Sequence, residues 1–451
     1  MQNYLLKQIA VVNEGEISEK DVYLKNGRIE RIGKSLHIKE RVTEIDGSGK
    51  HLIPGIIDDQ VHFREPGLMS KATIYSESRA AAAGGVTSFM DMPNTIPNAL
   101  TEEILENKYS IASRDSLINY SFFMGSSNDN AEEILKMNRK KKNICGVKIF
   151  MGSSTGNMLV DDESVLSKIF ANAEMLIATH CEDEEIIKNN YQQLKIEKGN
   201  LEPSDHPVIR NAAACYKSSS FAISLAQKFD SRLHILHIST AEELGLFTNK
   251  IPLPDKKVTA EVCVHHLHFT ADDYADLGYR IKCNPAIKSP ENKEALWEAL
   301  LDDRLDIIAT DHAPHTLSEK EPPYEHAHSG LPLVQHSLLL MLTYYKQRKI
   351  SLEKIVEKMC HAVAECFSIE ERGFIREGYY ADVIMLNLDN ETLVNKNNIL
   401  YKCGWSPLEG TLLSGSVLKT FVNGNCVFDA EVADDKQWDN SRTGHRLMFG
   451  R

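Results

Sequence analysis

The chain has 451 residues, 42% hydrophobic and 25% charged, which is the composition of an ordinary soluble globular protein. That length exceeds the usual single-domain range and calls for one large domain plus a smaller one. A formal charge of −13 disfavours nucleic acid and anionic membrane as partners, and an anionic small-molecule substrate would need a local basic site.

The first residues, MQNYLLKQIAVVNEGE, contain no long apolar stretch of the secretory type. Residues 1–54 read as short strands. KQIAVVNEG, DVYLKNGRIERIG and TEIDGSGKHLIP alternate around Asn26-Gly27 and Asp46-Gly47, both hairpin signals. The far end has the same texture in GFIREGYYADVIMLNLD (373–389) and SVLKTFVNGNCVF (416–428), the latter turning at Asn423-Gly424. One small β-sandwich domain built from residues 1–54 and 368–451 is expected.

From residue 55 the texture changes. Apolar, β-branched runs stand at 56–63, 86–94, 118–126, 146–154, 175–183, 233–240, 258–267 and 306–315. Runs apolar on both faces suit the buried strands of a parallel sheet. Helical patterns lie between them, at 69–83, 131–142, 161–172 and 290–303. Thr240 with Glu243 predicts a capped helix over 240–250, and Ser289-Pro290 another helix start. The alternation predicts an α/β fold, a (β/α)8 TIM-like barrel over 55–367. An open doubly wound sheet is the alternative, but no GxGxxG loop follows any strand.

The nine cysteines are scattered and include no CxxC pair, which fits reduced cytosolic thiols. No run of about 18 apolar residues marks a membrane span. A cytoplasmic location is expected.

Barrel enzymes carry their chemistry at the C-terminal ends of the strands. Those ends hold His62 and Arg64, Asn94, Lys148, His180, His237, His265 and His266, then Asp311 and His315; the third strand offers only Gly and Ser. Separated histidines with an aspartate at one mouth are the donor types that Zn²⁺ takes. Lys148 should either pair with a carboxylate or be modified to an anion, because a free ammonium would repel a metal.

These segments carry a resemblance. IIDDQVHFREPG (56–67), MPNT (92–95), GVKIFM (146–151), ATH (178–180), HIST (237–240), HHL (265–267), KCNP (282–285) and ATDHAPHT (309–316) closely resemble the dihydroorotases of the amidohydrolase superfamily. The likeness extends to GFIREGYYADVIM in the flanking β domain. It implies reversible closure of N-carbamoyl-L-aspartate to L-dihydroorotate, a step of pyrimidine biosynthesis, at one or two zinc ions. By position, His180 and His237 would bind one metal and His62 the other, with Lys148, carboxylated, between them. Asp311 would be a ligand and the general base and acid. Arg64, Asn94 and His315 would bind the substrate carboxylate, and Asn284 the ring. SSTGN (153–157) would be the family's mobile loop, and the backbone near Ala327 and Gly330 a substrate contact. Dimerisation is common among such proteins, and a homodimer is the expected assembly.

One position departs from the pattern. The family's first strand reads Asp-x-His-x-His, whereas here Asp58-Asp59-Gln60-Val61-His62 puts Gln60 in the first ligand's place. An amide oxygen is the poorer zinc donor, so the metal on the His62 side should be the weaker one. Strand alternation would turn Asp59 away from that face. His265 and His266 should pack or support, since the ligand set is complete without them, and His312 should be core. Two other functions stay open: another cyclic amidohydrolase such as a hydantoinase or allantoinase, or a silent homologue serving as scaffold for aspartate transcarbamoylase.

Overall fold

The computed structural model describes residues 2–152, 157–433, 436–439 and 444–451. The segment expected to form the mobile loop falls, save Asn157, outside the described residues. Eight parallel strands form one sheet in chain order: Ile56–Val61, Val86–Asp91, Asn119–Gly125, Gly146–Phe150, Ile177–His180, Leu233–Ile235, Val258–Cys263 and Ile307–Ala309. His62 N donates to His312 O at 2.7 Å, beside a parallel bridge from Val61 to His312, and this joins the eighth strand to the first. The sheet is a closed barrel. Its strands are buried on both faces apart from Val258, which is why they read as apolar runs rather than alternating ones.

Helices cover the outside. Ile74–Ala83 starts at Thr73, whose Oγ1 accepts from Ser76 N in a reciprocal cap, so residues 69–72 stay outside the helix. Glu163–Asn172 is capped by Asp162, and Pro290–Leu301 begins with its proline at the first helical position. The helix expected over 240–250 is a single 3₁₀ turn, Glu242–Leu246. Glu243 still caps Thr240, but its other oxygen accepts from Ser219 Oγ at 2.6 Å; the turn itself contains Gly245, and the weak helix formers Thr248 and Asn249 follow it.

Both termini contribute to a second eight-stranded sheet. Its order is Asn425–Asp429, Leu412–Val422, Val383–Leu393, His51–Pro54, Tyr4–Asn13, Glu16–Lys25 and Arg28–Gly33, with Thr43–Asp46 also along Tyr4–Asn13. Asn26-Gly27 and Asn423-Gly424 turn tight hairpins with positive φ at both residues, as expected. Asp46-Gly47 does not. Thr43–Asp46 and His51–Pro54 both run parallel to Tyr4–Asn13, one after the other, so the segment between them steps along one partner rather than reversing.

The two sheets are tied by polar contacts. Asn119 Nδ2, on the third barrel strand, donates to Asp382 Oδ2 at 3.0 Å, and Asn423 Nδ2 donates to Asn119 Oδ1 at 2.7 Å. Among the described residues, no helix is long and apolar enough to cross a membrane.

Candidate active site

The strand ends converge. Gln60, His62, Arg64, Asn94, Lys148, His180, His237, Asn284, Asp311 and His315 all line one cavity of about 210 Å³ at the mouth of the barrel, with Phe150 and the His328–Gly330 segment completing its wall. The backbone is bent to present them: Arg64, His237 and Asp311 have φ of 67°, 41° and 45°. Non-glycine residues held there cost about 1–3 kcal/mol each, and such positions gather at functional sites.

One histidine pair, His180 with His237, defines one side. His180 Nε2 lies 2.9 Å from Glu182 Oε2, which also accepts from Arg210. That carboxylate takes the ring proton and leaves Nδ1 as a lone pair, 3.0 Å from His237 Nε2. Burial holds both imidazoles below their ordinary value, hence neutral. His237 Nδ1 is buried without a hydrogen-bond partner among the described residues, and its backbone N–H is fixed by Glu261 Oε1 at 3.1 Å.

On the other side His62 Nδ1 lies 2.8 Å from Asn94 Oδ1 and Nε2 lies 3.1 Å from Asp311 Oδ1, so both ring nitrogens face oxygens. Gln60 Nε2 donates to the same Asp311 oxygen at 3.0 Å. Burial alone would raise Asp311, but the His62 contact and charge outweigh it and hold the carboxyl below its ordinary range. Facing lone pairs at these distances require a proton or a cation between them, and the donor set fits a metal on this ground.

Lys148 is buried and lines the same cavity. Its Nζ makes no ion pair among the described residues and lies 4.5 Å from the Phe150 ring centre. Burial drives its amine down to about 7. The expected alternative, a pairing carboxylate, is not what the structure places there.

The remaining wall is cationic. Arg64 Nε donates to Pro314 O at 3.1 Å and Nη2 lies 3.0 Å from His315 Nε2. Lys71 Nζ holds His315 Nδ1 at 3.1 Å and pairs with Glu319 at 2.8 Å. Burial lowers Arg64 only to about 10, so it stays charged near neutral pH. Asn284 Oδ1 lies 3.1 Å from His206 Nε2, and Lys320 Nζ donates to the carbonyls of Lys282, His328 and Gly330, fixing that edge of the cavity. Behind the first strand end, Asp91 accepts from Phe63 N at 2.7 Å and from the fully buried Lys108 at 2.6 Å.

Sequence reasoning missed Glu182, Lys71 and Lys320. Glu182 lies two residues after His180, a spacing that could have suggested it; the lysines gave no signal. Asp59 needs a correction. The first strand shifts register between Asp58 and Val61, and an Asp59 oxygen lies 3.3 Å from His234 Nε2 on the sixth strand, across the barrel interior. The irregularity, not alternation, sets its direction. It joins a buried group with His234 and Glu261 beneath the cavity. His312 is core, held by Glu77 at 2.9 Å.

Fold and site together define a barrel enzyme with its chemistry at the strand ends. Residues 51–427 match the Amidohydrolase family, and the chain belongs to that family of hydrolases. It is 32% identical to a dihydroorotase of Listeria innocua over 433 residues, covering 94% of this chain and 99% of that one. It is 30% identical to a dihydroorotase of Methanosarcina acetivorans (91% and 89% covered) and to an allantoinase of Desulfitobacterium hafniense (94% and 95%). Among solved structures it is similar to the L-hydantoinase of Arthrobacter aurescens, with a TM-score of 0.90 and 26% identity over 99% of this chain and 100% of that one.

Proposed function

We propose that the protein is a dihydroorotase, interconverting L-dihydroorotate and N-carbamoyl-L-aspartate by adding or removing one water across a ring amide. One observation carries this reading: the Arg64 guanidinium, backed by His315 and Lys71, faces the same cavity as Asp311 and the His180–His237 pair. A chain of net charge −13 repels anions at long range, so a ring bearing a carboxylate needs such a local planar fork. Hydantoin and allantoin carry no carboxylate and would leave this group without a task. The dihydroorotases among the relatives support the same substrate.

His180, His237 and Lys148 would hold one metal ion, and His62, Asp311 and Lys148 a second; imidazole and carboxylate donors suit zinc. When bound, the metal supplies a water reactive near neutral pH and polarises the ring carbonyl. Lys148 must not oppose it. With its amine brought to about 7, a large share is neutral and can add carbon dioxide. The N–C bond forms, one proton leaves the nitrogen for solvent, and the neutral amine becomes an anionic carbamate.

In the hydrolytic direction Asp311 takes the proton of the attacking water and delivers it to the ring nitrogen as the C–N bond breaks. Its Oδ1 is engaged by Gln60 and His62, and Oδ2, which accepts no hydrogen bond among the described residues, would take the proton. Arg64 and the Asn94 amide nitrogen orient the carboxylate, and Asn284 orients the ring.

The test is an assay of the purified protein, with and without added zinc, against dihydroorotate, hydantoin and allantoin. The expected result is the highest kcat/KM for dihydroorotate. Higher values for hydantoin or allantoin would move the assignment to those rings, and no turnover by zinc-loaded protein would make it a silent homologue.

A further inference from the structure

Just behind Gln60, outside the cavity wall, lies a cluster that the proposed reaction does not use. The seventh barrel strand ends at Cys263, and the one-turn helix Val264–His268 follows directly. This tight connection folds Cys263, His265 and His266 together, with one ligand atom from each lying within 4.8 Å of the others. All three are buried, the two histidines to 1% and 3% exposure.

What sets them apart is unmet hydrogen-bonding capacity. Neither ring nitrogen of His265 makes a hydrogen bond of good geometry among the described residues, though the Thr310 backbone lies near the ring, and Nδ1 of His266 makes none either. Leaving a buried polar group without a partner is destabilising, so three in one place call for an occupant. The opposite face of His266 is already arranged. Its Nε2 lies 3.1 Å from Pro285 O, which takes the ring proton there and turns the Nδ1 lone pair inward. Imidazoles that bind metals are oriented in this way.

Two oxygens border the cluster, Gln60 Oε1 and Glu261 Oε1, each 3.9 Å from Cys263 Sγ. Burial, then Glu261 and Asp311, hold the Cys263 thiol well above its ordinary value. A divalent cation reverses that balance by stabilising the thiolate. Gln60 lines the cavity and donates to Asp311 from its amide nitrogen, while its amide oxygen faces Cys263.

We propose that Cys263, His265 and His266 form a separate cation site that takes zinc through one thiolate and two imidazoles, with Gln60 Oε1 or Glu261 Oε1 in reach of the fourth position. The sulfur selects a borderline or soft ion over magnesium or calcium. On binding, the S–H bond breaks, an S–metal bond forms and one proton goes to solvent. The site is independent of which ring the cavity accepts.

The experiment uses the full chain, stripped of metal and reloaded with Zn²⁺ or Co²⁺ alone. Zinc-edge X-ray absorption of the loaded wild type should show a sulfur neighbour at about 2.3 Å. The cobalt form should show a thiolate-to-metal charge-transfer band. Cys263→Ser should lose that band, the sulfur neighbour and one equivalent of bound metal. Only nitrogen and oxygen neighbours in the saturated wild type would overturn the proposal, as would a variant that keeps its sulfur neighbour or full metal content. If Cys263→Ser does not fold, the wild-type absorption spectrum decides alone. Turnover is not the readout, so failure of the dihydroorotase reading would show separately.

Discussion

Replacing Arg64 by alanine gives the sharpest test of the carboxylate fork. Its Nε–H is committed to Pro314 O and Nη2 lies against His315, which leaves Nη1 and the outer edge of the guanidinium for a ligand. A hydrogen bond to a charged group contributes about 1.5–3 kcal/mol, so its loss should lower kcat/KM for dihydroorotate by about 10- to 150-fold. Hydantoin, lacking the carboxylate, should be turned over by wild type and variant at the same efficiency. Steady-state kinetics on both compounds, with thermal melts to confirm the fold, make the comparison. Equal losses on both rings would mean that Arg64 shapes the site without reading charge. No loss on either would remove the argument for the substrate.

Asp311→Asn should cost about 10²- to 10⁴-fold in kcat, the usual contribution of a positioned acid–base group, with an unchanged circular dichroism spectrum; wild-type activity would refute the assigned role. Gln60→His should strengthen the His62 side, so that plasma emission after mild chelation finds more metal retained than in wild type, where the His62-side ion should leave first. Carboxylation of Lys148 requires the neutral amine, whose share grows as pH rises through about 7. Bicarbonate-dependent reactivation of stripped protein should therefore be slow at pH 6 and fast at pH 8, and a flat profile would count against the modification.

The strand ends could be read without coordinates because a parallel barrel obliges every strand to be apolar and then to present a polar residue at the mouth. His62, His180, His237 and Asp311 each follow such a run, and all four line the cavity. Features set by contacts between distant segments could not be read. Lys71 looked like part of a helix, and only the Thr73 cap shows that it precedes one and reaches His315. The direction of Asp59 depends on a register shift that no residue type announces. Asp46-Gly47 has hairpin chemistry, yet both flanking strands prefer the same third strand as partner. The Thr240–Glu243 cap is present, but Ser219 shares its carboxylate and the following residues do not extend the turn.

The strand His51–Pro54 pairs with Val383–Leu386 on one side and with Tyr4–Asn13 on the other. As the chain leaves the ribosome, its first fifty residues can assemble early, but the outer edge of that strand waits for a partner made more than three hundred residues later. An unpaired edge of this kind is a template for unwanted association, and long-range pairing is slow to complete. Truncations that stop short of residue 383 should therefore aggregate rather than yield a free barrel, and expression of fragments should be planned around that join.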